Sequence, residues 1–456
     1  MQKEDTLVKS ETLKQSKKTK PAFFKKVGFV SLGCDKNRVD TEHIISTLAR
    51  HSQFVFVGNS EEANIIIVNT CSFLKVAREE AGSVIKQMAK LKAKGNLEKL
   101  IVVGCLPLLS KEEVLKKFKL VDAVFVPEDY DQIDKHIFEL YGEKFIKPDK
   151  ELDCRMLTTP THTAYLKVAD GCNNRCAYCK IPFIRGYYKS VPIDEVVREA
   201  EALCEKGVKE LVLVAQDLTR YGCDIKTNLV ELIKRLSKIK KLSWIRLMYC
   251  YPEKITDELI AEIRDNPKVV KYIDMPLQHI ADNVLSLMKR RGDKKYILKL
   301  IKKLRRQIPN IKIRSTFMVG FPGERDKDFK ELCKFLKVYK LDNVGFFKYS
   351  REDGTASYEY QNQIEESIKD YRLEIVQDIQ EKVVAKKNSK LSGKTLKVLV
   401  DSYNPKYKFF IGRGYFSAPE VDFEIWFKSY KQISIGSFVD VTISKFADGC
   451  FIGEVL

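Results

Sequence analysis

Short apolar runs alternate with amphipathic stretches along most of the chain. Val27–Leu32, Ala63–Val68, Lys99–Val103 and Val121–Val126 read as strands, separated by helical patterns near 38–50, 74–92 and 111–118. Nearly continuous apolar strands alternating with helices predict a parallel sheet covered on both faces. A polar connector at 147–153 closes this unit, so a first α/β domain is expected over 26–150. The alternation restarts and runs longer, with strands at Ala164–Val168, Glu210–Val214, Trp244–Met248, Tyr272–Ile273, Lys312–Val319 and Asn343–Phe347. Such a run of βα units predicts a partial or full βα barrel over 151–390. Its last segment, 361–390, reads as one long charged helix, a natural bridge to something else. After Gly393 the period changes to short strands split by turns: Leu396–Val400, Lys408–Gly412, Val421–Phe427, Ser437–Ile443 and Phe451–Val455. That pattern predicts a small all-β barrel of OB type over 391–456. Residues 1–25 are polar, Lys-rich and aperiodic and read as a disordered tail.

Composition narrows the class. With 456 residues, 44% of them hydrophobic, the chain can bury several cores, and wholesale disorder is excluded. No apolar run approaches the roughly 18 residues that span a bilayer, so no membrane association is expected. The first 26 residues carry eight Lys with Glu4, Asp5 and Glu11 and no apolar core, unlike a secretory signal. A cytoplasmic setting is therefore expected, where the twelve Cys bind metal or fill cores rather than form disulfides. The 81 Lys and Arg against 62 Asp and Glu give +19, which points to nucleic acid or to a solvated Lys-rich surface. The last module holds eight basic against seven acidic residues. A module that gripped an RNA backbone should be the basic part, so this counts against that role.

The strongest chemical signal is Gly171-Cys172-Asn173-Asn174-Arg175-Cys176-Ala177-Tyr178-Cys179, just after a predicted barrel strand. Three thiolates so close in one loop can wrap a soft metal centre. Zinc would want a fourth Cys or His, and none is local; His162 belongs at the far end of the strand. A 4Fe–4S cluster with three protein ligands leaves one iron open. A core role for these cysteines is disfavoured, since they sit among Asn, Arg and Gly. The second constellation is spread out: Cys34, Cys71 and Cys105 each follow one of the first three strands, 37 and 34 residues apart. In a parallel sheet they share one edge, where open α/β sheets bind ligands. Buried Cys can also end strands as a small hydrophobe. Cys154, Cys204, Cys223, Cys250, Cys333 and Cys450 show no mutual spacing. Cys204 and Cys333 read as packing residues; Cys223 and Cys250 follow strand ends.

The Cys172-x3-Cys176-x2-Cys179 run resembles the radical AdoMet signature, and the three spaced cysteines before it resemble the methylthiotransferase subgroup. Ser31-Leu32-Gly33-Cys34-Asp35-Lys36-Asn37, Tyr165–Cys176, Ala215–Gly222, Asp274–His279 and Val319–Glu324 are similar to the RimO type, which modifies a small-subunit ribosomal protein. The resemblance covers about residues 26–456. The tRNA-modifying relatives carry Gln-Met-Asn after the first Cys and Pro-Val-Gln-Ser, where this chain has Asp35-Lys36-Asn37 and Pro276-Leu277-Gln278-His279. The resemblance implies a flavodoxin-like sheet domain, a partial TIM-like radical AdoMet barrel and a TRAM-like β-barrel. It implies two 4Fe–4S clusters, one on Cys172, Cys176 and Cys179 and one on Cys34, Cys71 and Cys105, with S-adenosyl-L-methionine bound to the open iron of the first. Cleavage of AdoMet would yield a 5′-deoxyadenosyl radical that takes hydrogen from the β-carbon of an aspartate in ribosomal protein S-twelve. The second cluster would hold the sulfur, which a second AdoMet methylates. An electron donor such as flavodoxin and a sulfur donor are implied partners.

Weaker candidates surround these motifs. Gln216 and Asp217 end a barrel strand and either bond AdoMet or cap the next helix. Gly320 and Gly323 lie in a turn that either approaches adenine or simply joins strand to helix. Tyr178 can shield iron or stack on adenine, and Arg175 can pair with the cluster or be solvated. His279 reads as a pocket residue or a hydrogen-bonded structural group. Phe423, Trp426 and Phe427 form either a docking surface or core. A methylthiotransferase acting on an adenosine of tRNA is the second reading, and a non-catalytic zinc-binding RNA adaptor the third.

Overall fold

The structure, a computed structural model, describes residues 23–152 and 155–455. Most of the Lys-rich tail and Cys154 lie outside the described residues. The first domain starts before residue 25, because Phe23 is buried against Phe54, Phe138 and Tyr141.

Five parallel strands build the first sheet: β1 (Lys25–Ser31), β2 (Phe54–Phe56), β3 (Ile65–Thr70), β4 (Lys99–Gly104) and β5 (Ala123–Val124), in the order β2-β1-β3-β4-β5. Side chains alternate across a strand, so both faces of an apolar run must find cover. Ile65, Ile67, Ile101 and Val103 pack under Ile44, Leu48, Ile133 and Phe138 on one face. Ile66, Val68, Leu100 and Val102 meet Ile85, Met88, Val114 and Phe118 on the other. The short edge strand β2, which too few residues announce in the sequence, is the addition to the predicted set.

The second unit begins with β6 (Thr163–Lys167), followed by a small antiparallel hairpin of β7 (Ala169–Asp170) and β8 (Lys189–Ser190). It continues through β9 (Glu210–Val214), β10 (Trp244–Leu247), β11 (Val269–Asp274), β12 (Lys312–Val319) and β13 (Asn343–Lys348). These six strands other than the hairpin run parallel in the order β6-β9-β10-β11-β12-β13, a partial rather than closed barrel. Leu166, Leu211, Leu213, Ile245, Leu247, Ile273 and Ile313 face the outer helices through Leu203, Leu232, Ile260 and Leu304. The opposite, concave face carries Tyr165, Val212, Val214, Trp244, Met248 and Tyr272, packed against Val39 of the first domain and Leu399 and Ala418 of the last. The open barrel is thus plugged by its neighbours. The long helix Glu366–Asn388 belongs to this unit, with Arg372 donating to the Glu324 carbonyl (3.1 Å) and pairing with Asp326 (2.8 Å).

The last module is a closed five-stranded barrel of β14 (Thr395–Asn404), β15 (Phe409–Gly414), β16 (Ile425–Lys428), β17 (Phe438–Ala447) and β18 (Cys450–Glu454). Its seat on the concave face is polar as well as apolar. Glu210, fully buried, meets both Arg246 (2.8 Å) and Arg413 (2.7 Å), and the Tyr272 hydroxyl donates to Asp422 (2.6 Å). Buried pairs add little net stability but punish any misplaced partner, so they fix the docking register. Among the described residues, no helix is long and apolar enough to cross a membrane.

Candidate metal centres

Strand order in the first sheet reverses between β1 and β3, the switch point at whose carboxyl edge open α/β sheets form a crevice. Cys34 follows β1, Cys71 follows β3 and Cys105 follows β4, so neighbouring strands deliver the three thiols to that edge. Two glycines make the delivery possible. Gly33 and Gly104 hold φ of 91° and 93°, a region that side chains resist. A Cβ at Gly33 would lie 2.8 Å from Cys71 Cβ, and one at Gly104 would lie 2.2 Å from Asn69 Oδ1. Asn37 ties the strand ends together, donating to the carbonyls of Leu32 (3.1 Å) and Thr70 (2.9 Å), while Asn69 donates to the Asn37 carbonyl (2.8 Å). Exposure is graded, from exposed Cys34 through half-buried Cys71 to buried Cys105.

The second trio lies in the loop between β7 and the short helix Ile181–Ile184. Cys172 N–H donates to the Gly186 carbonyl (3.2 Å), Cys179 N–H to the Cys176 carbonyl (3.0 Å) and Ala177 N–H to the Met288 carbonyl (3.0 Å). Asn174 is held by Asp217 (2.8 Å), so the loop is pinned to the end of β9. The Tyr251 hydroxyl sits 3.2 Å from Cys176 Sγ, and Arg290 stacks over the Tyr251 ring at 4.1 Å.

The donor set fits iron–sulfur ligation. Cys179 and Cys105 receive N–H groups at sulfur, from Ile181 (3.4 Å) and from Arg185 (3.3 Å), and Cys176 Sγ shares a hydrogen bond with the Tyr251 hydroxyl. Hydrogen bonds to sulfur stabilise thiolate ligands and tune such clusters. Burial pushes the Cys105 and Cys172 thiols up to about 11 and raises Cys71 and Cys179 as well. As free thiols these four keep their protons near neutrality, so metal binding must release them. The described cysteines are all free of disulfides. Among the described residues, no three His, Cys, Asp or Glu side chains converge on a single-ion position.

The remaining candidates separate by what already occupies them. Gln216 donates to Asp170 (2.8 Å), while its buried Oε1 has no protein partner. Asp217 spends its oxygens on Asn174 and on Thr219 (2.6 Å). Tyr178, between Cys176 and Cys179, meets Phe321 edge-on at 6.3 Å. The Gly320 Cβ direction is filled by the Lys369 side chain at 2.3 Å and that of Gly323 by Leu287 at 2.8 Å, both glycines having positive φ. His279 is buried, accepting from Ala281 N–H at Nδ1 (3.1 Å) and facing Glu324 through Nε2 (3.4 Å), a structural arrangement. Arg175 is exposed. Cys204 and Cys250 are core residues, and Cys223 is exposed. Phe427 is core, Phe423 packs on Phe446, and Trp426 is half-buried. Residues that sequence reading does not single out stand between the two trios: Asp40, Lys167, Asp170 and Arg185 (side chains 3, 16, 29 and 3% exposed) form one ion network. Burial alone would raise Asp170, but Lys167 and Arg185 draw it down to about 2. The only local signal was position, since Arg185 falls six residues beyond Cys179.

A half-open parallel βα barrel with three thiols in the loop after its first strand defines a radical SAM protein, and residues 166–336 match the Radical SAM superfamily. Residues 26–126 match the uncharacterised family UPF0004, and residues 393–456 match the TRAM domain. The chain belongs to the RimO family of methylthiotransferases and is an AdoMet-dependent enzyme carrying an iron–sulfur cluster. It is 44% identical over 448 residues to "Ribosomal protein uS12 methylthiotransferase RimO" of Acetivibrio thermocellus, covering 95% of this chain and 98% of the relative. Proteins of the same name from Clostridium botulinum strain Eklund 17B and Clostridium acetobutylicum are 45% and 42% identical, each covering 94% of this chain and 98% of the relative. In fold, the chain is similar to the radical S-adenosylmethionine methyltransferase TsrM from Kitasatospora setae, solved with cobalamin and a 4Fe–4S cluster bound. The TM-score is 0.53 at 12% identity, covering 74% of this chain and 77% of that one.

Proposed function

We propose that this chain inserts sulfur and a methyl group at the β-carbon of an aspartate in ribosomal protein uS12, using two iron–sulfur clusters each held by three cysteines. Cys172, Cys176 and Cys179 would hold the cluster that binds AdoMet; Cys34, Cys71 and Cys105 would hold the second. When bound, the first group supplies the electron that cleaves AdoMet, and the second supplies the sulfur-handling iron. With three cysteines to each cluster, one iron of each would stay open to a small molecule. Gln216 is positioned to contact AdoMet through its unpartnered Oε1, and Tyr178 to cover it. Asp217 acts through Asn174 to hold the cysteine loop, and the Gly320–Gly323 turn would approach the adenine.

The observation that supports this reading is the contact across the domain boundary of Arg185, just beyond the barrel's cysteine loop, with Cys105 of the first domain. A radical made at one centre has to reach a substrate carbon that also reaches sulfur at the other, so the two must share a cavity. The substrate assignment rests on the activity for which the relatives are named and on the near-neutral last module. Expression in a host lacking both methylthiotransferase activities tests it. A methylthio mass gain is expected on uS12; a gain on tRNA nucleosides alone overturns the assignment.

A further inference from the structure

Arg185 spends its whole guanidinium on a junction of the two domains. Nε and Nη2 both donate to Cys105 Sγ, each at 3.3 Å. Nη2 also donates to Asn37 Oδ1 (2.7 Å), and Nη1 to Asp40 Oδ2 and Asp170 Oδ2, each at 3.0 Å. A guanidinium has five N–H donors in a rigid fork, and here all five are placed. The side chain is 3% exposed, so these contacts are made out of water. Asn37, Asp40 and Cys105 belong to the first domain, Asp170 and Arg185 to the barrel, and Lys167 of β6 joins both carboxylates. Two cations balance two carboxylates, so no uncompensated carboxylate claims the guanidinium edge that faces the sulfur.

We infer that Arg185 is a positioning residue that sets both the place and the redox poise of the N-terminal cluster. It follows directly on the helix Ile181–Ile184, which starts two residues after Cys179, so its reach fixes the separation of the two trios. Two N–H donors on one ligand sulfur withdraw electron density and favour the reduced, more negative cluster. A residue that merely glued the domains would need only the carboxylates. This inference rests on the two-cluster reading, and the experiment separates their failures.

The test uses the full chain carrying Cys172→Ala, Cys176→Ala and Cys179→Ala, reconstituted anaerobically with iron and sulfide and titrated electrochemically by EPR. If this parent takes up no iron, the two-cluster reading fails and the inference with it. Given iron, Arg185→Lys keeps a cation for Asp40 and Asp170 but loses the fork on sulfur. It is expected to retain iron and to shift the midpoint potential downward. Asp40→Asn disturbs the same junction but removes a negative charge, so it is expected to shift the potential upward or leave it in place. An Arg185→Lys potential equal to the parent's, or a downward shift of equal size in Asp40→Asn, overturns the inference.

Discussion

The two cysteine trios solve one ligand problem in opposite ways. The barrel trio is local in sequence: one loop of eight residues, Cys172–Cys179, with one internal bond from Cys179 N–H to Cys176 and outside anchors at Gly186, Met288 and Asp217. The N-terminal trio is non-local, with each thiol at the end of a different strand and two glycines turning the chain at the shared sheet edge. Chain proximity alone keeps the three thiols of the local loop near one another, whereas the distributed site exists only when the sheet has formed in register. Metal affinity at the second should therefore track the stability of its domain more closely than at the first.

Removing one thiol from each separates the pair most strongly. Cys176→Ala should abolish AdoMet cleavage, measured as 5′-deoxyadenosine release; retained cleavage would refute the ligand assignment. If the N-terminal trio holds the proposed second cluster, Cys71→Ala should leave that cleavage in place, abolish methylthio transfer and roughly halve the iron. Next in size is the floor that holds the barrel. Glu210→Gln leaves Arg246 and Arg413 buried beside a neutral partner, at a cost of about 3–5 kcal/mol in denaturant unfolding. A loss below about 1 kcal/mol would mean that water reaches the pair. Gly104→Ala should then cost about 1–3 kcal/mol from positive φ and the clash with Asn69, and lower iron at the N-terminal trio alone. Equal iron loss at both trios would erase the contrast between them.

The smallest effect is with pH. Burial opposes ionisation of Glu210 and Asp401, but Arg413 and Arg246 hold Glu210 below its ordinary 4.5, and the His162 hydrogen bond, with Arg413 beside it, holds Asp401 below its ordinary 3.8. A depressed carboxyl contributes stability that is complete above its ordinary value and is lost as pH falls through its folded value. Acidification below about pH 4 should thus loosen the seat of the last module, seen as faster amide exchange across 413–418 than across the cysteine loop. Uniform exchange in both segments would place the acid-sensitive charges elsewhere.

Sequence and structure divide along the same line as the two trios. The apolar runs announced the three folded units and nearly every strand, because strands buried on both faces leave a continuous signature. The edge strand β2 and the hairpin of β7 and β8 were too short to do so. Among site residues, Cys172, Cys176 and Cys179 were legible as a group because their spacing is itself the geometry. Cys34, Cys71 and Cys105 were legible as strand-end residues, but their convergence depended on strand order, which places β1 beside β3 and β3 beside β4. Arg185, Tyr251 and Arg290 carried no signal, since lone cations and tyrosines look alike wherever they fall.

The amino-acid order alone determined which residues alternate, where the chain can turn through glycine, and which thiols sit within one loop's reach. Only the tertiary structure decided that the open barrel's concave face is filled by the neighbouring units, and that one arginine crosses a domain boundary to a thiol 80 positions away. Local periodicity follows from backbone geometry and is written residue by residue. Long-range pairing depends on how whole surfaces exclude water together, and no short stretch of sequence contains that.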